Sequence, residues 1–294
     1  MAANSFNPIE QLKRDKHTLL EGYVTEHLFK KQFLAGRTKE EYSHGWWTGM
    51  LRGKRFLFIL KDNLNNIDKE IISIFKKDYE CWQVLYTNEG LRRFINDDYS
   101  ESLSETDFFE IYKLERKQPP LKATSETSND QRQNRCIEYF KNQQLLNEIA
   151  VERNFADDFL SVYFSSIINI DYFTKNKNDE LCAIEIKFKN ETFNGYFGID
   201  AGPIGLLLEI SSKGIKVYHV ILYKDRNHKD MSIFDYIEDN TIDKAWYIHN
   251  FVKNDIVGYS EAPEKTSVDG KKKQPFGQIR KEIVLSGQRV RLKL

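Results

Sequence analysis

The chain of 294 residues is short of several things, and each shortage removes a class of protein. Cysteine is scarce. Cys81, Cys136 and Cys182 are odd in number, far apart and never arranged as C-x-x-C. That argues against a disulfide framework and a cysteine zinc site, and for a reducing cytoplasm. No apolar run approaches the roughly 20 residues that a membrane-spanning helix needs. The start, Met1-Ala2-Ala3-Asn4-Ser5, lacks the basic head and apolar stretch of a secretory signal. Net charge is absent, with 44 Lys/Arg against 44 Asp/Glu, so overall charge does not point to nucleic acid. There is no G-x-x-x-x-G-K-[ST] loop and no G-x-G-x-x-G, which removes the common NTPase and dinucleotide-binding classes. The histidines, His17, His27, His44, His219, His228 and His249, show no metal-ligand spacing, and no internal repeat is visible.

What remains is an ordinary globular composition, 40% hydrophobic and 30% charged, with length for two modest domains or one large one. Charge is uneven along it. From Lys265 to Leu294 there are nine Lys/Arg against Asp269 and Glu282, while Asp97 to Glu110 holds six acids and no base. Solvated segments account for both runs; the alternative for the basic tail is contact with phosphates through counterion release.

Apolar periodicity predicts an amphipathic helix from Ile9 to Phe33, with Gly36 as its stop. Arg55–Leu60 reads as a buried strand, Ile67–Lys77 as a helix and Trp82–Thr87 as a strand. Asn88 would cap a short helix through Ile95, and Phe108–Leu114 would add a strand. Trp46-Trp47 suits core packing or a partner interface better than base stacking. Lys117 to Gln131, KQPPLKATSETSNDQ, reads as a linker. Beyond it a helix is expected over Arg132–Glu152, then strands over Leu160–Phe173, Leu181–Lys189 and Tyr196–Ile199. A helix opened by Pro203 runs through Ser211, Gly214 stops it, and Ile215–Tyr223 follows as a strand. The first three strands are close enough for a meander, and the helical connection would return the fourth in parallel. The organisation expected is an N-terminal α/β region over 1–116, a linker over 117–131, a core over 132–260 and a basic tail over 261–294.

The pattern Asp/Glu-x-Lys occurs three times, at Glu115-Lys117, Glu185-Lys187 and Asp269-Lys271. Context separates them. Glu185 and Lys187 alone lie within an apolar strand, flanked by Ala183, Ile184, Ile186 and Phe188. Residues two apart on a strand share a face, so the acid and the lysine project together. Charges in that setting are costly unless paired or bound to a metal. Asp171 ends the preceding strand, and a hairpin turning at Lys175–Asp179 would set it beside Glu185. Two adjacent carboxylates suit Mg²⁺, which takes one or two of them and keeps several waters. Lys187 would stand beside the activated water and the phosphorus.

Asp171 followed by Glu185-Ile186-Lys187, in a helix-strand-strand-strand-helix-strand order, resembles the PD-(D/E)xK nuclease superfamily over about Arg132 to Tyr223. Ile170 stands where that family often has Pro. The resemblance implies an α/β, mixed-sheet fold with a restriction-endonuclease-like core. It implies a Mg²⁺-dependent nuclease, with Mn²⁺ as substitute, acting on DNA rather than RNA in restriction or antiviral defence. Its catalytic residues would be Asp171, Glu185 and Lys187. Its metal contacts would be Asp171, Glu185, Ile186 and an acid from the preceding helix, Glu152 ahead of Glu148. Glu26, in Gly22-Tyr23-Val24-Thr25-Glu26, resembles another upstream acid pattern. Lys189 and the basic run Lys271, Lys272 and Lys273 are the candidate nucleic-acid contacts. A double-strand cutter with one site per chain would work as a homodimer. The rival expectations are a nucleic-acid-binding protein that kept the fold and lost catalysis, and an interaction protein whose hairpin charges form a surface salt bridge.

Overall fold

The computed structural model describes residues 6–38, 41–86, 92–96, 102–116, 130–260 and 275–293. The chain makes two compact units and passes between them repeatedly. Unit 1 holds Met1–Lys16 and Ser43–Ile170; unit 2 holds His17–Tyr42 and Asp171–Leu294. Both combine helices with mixed sheets. Among the described residues no helix is long and apolar enough to cross a membrane.

The chain begins in unit 1 with α1 (Pro8–Leu12), then enters unit 2 with α2 (His17–Phe29) and a π-helical turn, Lys30–Leu34. The two-residue strand β1 (Tyr42–Ser43) lies at the return to unit 1. There follow β2 (Trp46–Leu51), β3 (Lys54–Leu60), α3 (Asn66–Phe75), β4 (Glu80–Tyr86), β5 (Arg92–Ile95), β6 (Leu103–Ser104) and α4 (Glu105–Tyr112). Next come α5 (Asp130–Asn142), α6 (Leu146–Asn154), a π-helical stretch at Phe155–Leu160, α7 (Ser161–Tyr163) and β7 (Ser165–Ile170). The last passage, in unit 2, runs β8 (Tyr172–Lys175), β9 (Leu181–Lys189), β10 (Tyr196–Asp200), α8 (Ala201–Ser212) and β11 (Lys216–Tyr223). It continues with α9 (Ile233–Glu238), β12 (Ala245–Asn250), β13 (Ile256–Tyr259), β14 (Phe276–Arg280), α10 (Lys281–Leu285) and β15 (Gln288–Arg291).

Unit 1 is built on a sheet of order β6-β5-β4-β3-β2-β7, with β3 and β4 parallel and its other pairs antiparallel. Aromatic rings fill the core. Phe56, Phe58, Trp82, Phe94, Phe108, Phe155 and Phe159 are all buried, and Trp47 and Phe164 join them. Trp46 is buried too, its indole N–H donating to Ser43 Oγ at 2.7 Å, so the tryptophan pair packs inside.

Unit 2 has a sheet of order β1-β8-β9-β11-β12-β15 and a smaller antiparallel one, β10-β14-β13. The hairpin β8–β9 is antiparallel, and β11 lies parallel to β9, as the helical connection through α8 requires. Leu20, Tyr23, Val24 and Leu28 form the buried stripe of α2, which packs against β9.

Several elements differ from the sequence expectation. The first helix is interrupted after Leu12 by a turn at residues 13–16, where Arg14 and Asp15 donate backbone N–H groups to Gln11 and Leu12. Arg92–Ile95 is a strand paired with β4 rather than the end of a helix; residues 87–91 lie outside the described residues. Phe108–Leu114 is no strand: Ser104 and Asp107 form a capping box that starts α4 at Glu105. The helix expected over Arg132–Glu152 is two helices, parted at Gln144, whose φ is +60°. Leu160–Phe173 holds the end of a helical stretch and two strands in different sheets. The third strand of the expected meander, β10, pairs with β14 and leaves β9.

The units also divide elsewhere than at 117–131. Residues 117–129 lie outside the described residues, and Asp130 and Gln131 already belong to α5. Residues 132–170 group with unit 1, and the helix that groups with the site strands is α2. The segment 261–294 is not a free tail from Phe276 onward. β14 joins the small sheet, β15 extends the large one beside β12, and Ile279 and Val284 are buried. Of its described basic residues, Arg280, Arg289 and Arg291 are exposed on β14 and β15, where charge costs little, while Lys281 is half-buried.

Candidate active site

The hairpin is set by its turn. The Asn176 side-chain oxygen accepts from Asn178 N at 2.9 Å and Glu180 N at 3.1 Å, and Asp179 takes a left-handed conformation at φ +60° that Asp tolerates. The register this imposes pairs Tyr172 with Ile184, so Asp171 comes level with Glu185. On β9, Glu185, Lys187 and Lys189 share one face; Ile184, Ile186 and Phe188 take the other.

The three residues meet. Lys187 Nζ is 2.6 Å from Glu185 Oε1 and 3.9 Å from Asp171 Oδ2. Asp171 Oδ2 also accepts the Ile186 backbone N–H at 2.6 Å, which fixes its carboxylate across the two strands. The Asp171 side chain is fully buried and that of Glu185 nearly so, while the Lys187 side chain is 36% exposed. Lys187 is therefore the member that faces solvent. Burial works against its charge, but Glu185 and Asp171, with Glu26 behind them, outweigh burial and raise its pKa. Glu26, on α2, is thus brought to the site electrostatically.

The donor set fits a hard divalent cation. Two buried carboxylates meet one ammonium, which leaves negative charge uncompensated within the triad, and Mg²⁺ needs few protein ligands because it keeps its waters. Ile186 can contribute only its carbonyl. Among the described residues, no three of His, Cys, Asp and Glu are grouped to hold a metal. Glu152 and Glu148 lie on α6, in unit 1, and Glu148 pairs with His44 at 3.0 Å.

Lys189 continues the site face. Its Nζ donates to the Gly198 carbonyl, and burial, reinforced by Lys187, lowers its pKa to about 8. His219 lies beside Glu185 in the β11–β9 register and beside His249 in the β11–β12 register. It is fully buried, neither ring nitrogen has a hydrogen-bond partner among the described residues, and burial with Lys189, Lys187 and His249 lowers its pKa well below the ordinary value. A polar row thus runs from Asp171, just before β8, across β9, β11 and β12. In the sequence, His219 reads as a structural residue, because its role in the row depends on strand order. Lys271, Lys272 and Lys273 lie outside the described residues.

No family model, no curated protein and no solved structure matches the chain.

Proposed function

We propose that the chain is a magnesium-dependent nuclease that hydrolyses phosphodiester bonds, with DNA as its substrate by analogy with the PD-(D/E)xK superfamily. The observation that carries this reading is the closure of Asp171, Glu185 and Lys187 on one strand pair, with contacts of 2.6 and 3.9 Å. The order α2, β8, β9, β10, α8, β11 within unit 2 supports it, since it repeats the helix-strand-strand-strand-helix-strand sequence of that superfamily.

Asp171, Glu185 and the Ile186 carbonyl would hold the cation. Magnesium bound there supplies Lewis acidity toward a phosphoryl oxygen and toward water. The chain's own residues do the rest. The Ile186 N–H keeps Asp171 in place, and Glu185 orients Lys187. The half-exposed Lys187 ammonium meets the phosphate and stabilises charge developing on it.

The test is incubation of the full chain with linear, circular and single-stranded DNA and with RNA, in Mg²⁺ or Mn²⁺. Cleavage in the wild-type chain and its loss in Lys187→Ala are expected. Cleavage that survives in Asp171→Ala, Glu185→Ala and Lys187→Ala alike would overturn the assignment. The second reading, a binding protein that kept the fold without the chemistry, draws on the pairing of both carboxylates with Lys187 at 2.6 and 3.9 Å. It predicts salt-dependent binding with no metal-dependent cleavage.

A further inference from the structure

Just beyond Lys189 the chain makes a turn that places a large aromatic ring in water. Phe193 is 83% exposed, far more than any other exposed large hydrophobic residue of the described chain. A phenylalanine left out of the core forgoes the burial that usually holds such a ring.

The turn that carries it is pinned from both ends. Gly195 N donates to Thr192 O at 3.0 Å, Thr192 N donates to Tyr196 O at 2.8 Å, and Gly195 adopts φ +75°. On the near side, Glu191 accepts from Tyr223 Oη at 3.1 Å and from Lys281 Nζ at 2.7 Å. On the far side, the Lys281 backbone N–H donates to Gly195 O at 2.9 Å. The ring is therefore presented by a built turn.

One face of that ring meets Arg226, whose guanidinium carbon lies 4.5 Å from the ring centroid. Arg226 is exposed, and among the described residues no carboxylate pairs with it. The rest of the ring is exposed to solvent. An aromatic face backed by a spare guanidinium matches a nucleobase together with its phosphate. The position is continuous with the candidate site: Phe193 follows Lys187 by six residues, and the Lys189 and Tyr223 side chains tie the returning strand and the turn to the site face. Within a duplex the base faces are already stacked on one another, so away from duplex ends only an unpaired base can lie on such a platform.

We infer that Phe193 and Arg226 form a stacking platform for an unpaired nucleobase, which makes single-stranded nucleic acid, or a strand with an unpaired end, the substrate class of the Asp171–Glu185–Lys187 site. This rests on the nuclease reading of that site.

The test compares the full-length chain with Phe193→Ala, Phe193→Leu and Phe193→Trp. Affinity is measured for a single-stranded DNA oligonucleotide containing 2-aminopurine and for a blunt duplex of equal length. Phe193→Ala is expected to weaken single-strand binding about tenfold or more and to abolish the change in 2-aminopurine fluorescence, leaving duplex binding within about twofold. Phe193→Leu should behave like alanine, and Phe193→Trp should restore both signals. If the wild-type chain binds and cuts nucleic acid but Phe193→Ala changes neither signal, or lowers single-strand and duplex affinity equally, the platform is wrong and the nuclease reading stands. If the wild-type chain binds no nucleic acid, both fall. If Phe193→Ala instead converts a self-associated chain to a monomer in sedimentation, the ring is a protein contact and the inference is overturned.

Discussion

In unit 1, Arg153 grips Asp15 through two nitrogens at 3.0 and 2.9 Å and also reaches Asp157, all three side chains being nearly buried. Arg14 holds Asp158 in the same forked manner at 2.6 and 2.7 Å. In unit 2 a single lysine, more than a third exposed, sits between two buried carboxylates. Both arrangements set a cation against buried acids. A planar guanidinium bound at two points is locked and excludes competitors, whereas a point-charge ammonium open to water is exchangeable. The first fastens the fold, and on the proposed reading the second would keep a place for a cation and a phosphate.

The contrast breaks most sharply under substitution. Lys187→Ala should lower metal-dependent cleavage by about 10²- to 10³-fold, the usual effect of removing one preorganised electrostatic group. The chain should remain folded, which single-turnover rates measured alongside circular dichroism will show. Arg153→Ala should do the reverse. It leaves Asp15 and Asp157 buried without their cation, and unit 1 should lose about 3–5 kcal/mol in urea unfolding. Cleavage at temperatures where the chain is folded should change little.

The same cluster gives a pH signature. Burial holds Asp157 up to about 6, with Asp15 adding to the shift against the pull of Arg153. The folded unit then binds more protons than the unfolded chain between about pH 4 and 6, so this group's contribution to stability falls as pH rises through that window. The loss amounts to about 3 kcal/mol at most. Unfolding midpoints from pH 4 to 7 should show it as the difference between the wild-type chain and Asp157→Asn. A smaller effect is expected at the edge of the unit 2 sheet. A Cβ on Gly287 would lie 2.4 Å from the Ile248 carbonyl oxygen, a backbone atom that cannot swing aside. Gly287→Ala should cost about 1–3 kcal/mol by loosening the β12–β15 edge, with the triad contacts retained. Hydrogen exchange at β15 would report it.

The site pair was readable because its signals are local. Glu185 and Lys187 stand out as charges in LCAIEIKFK, and the Asn/Asp-rich turn announces the hairpin that brings Asp171 alongside. The strands β3 and β4 and helix α3 follow equally from apolar runs and from the cap at Asn65. What could not be read depends on distant partners. Nothing in Leu20, Val24 and Leu28 says that α2 packs on β9 rather than on the elements that follow it in sequence. The β-rich run from Leu160 to Phe173 hides a change of sheet, because strands look alike whichever neighbour they pair with. The Ser104–Asp107 cap of α4 lies upstream of Phe108–Tyr112, whose aromatic content by itself suits a strand. Charge counting concealed β14 and β15, since it ignores alternation.

The interlacing of the units also sets a timetable. Helix α2 is synthesised early, with its apolar stripe made, but the strands it covers begin only at Asp171. At about 5–20 residues per second, the ribosome needs on the order of ten seconds to traverse residues 43–170. For that interval the stripe has no sheet to rest on, and the carboxylates and lysine do not yet exist as a group. The candidate centre is thus completed late in translation, after the aromatic unit has already been given the chain it needs to fold.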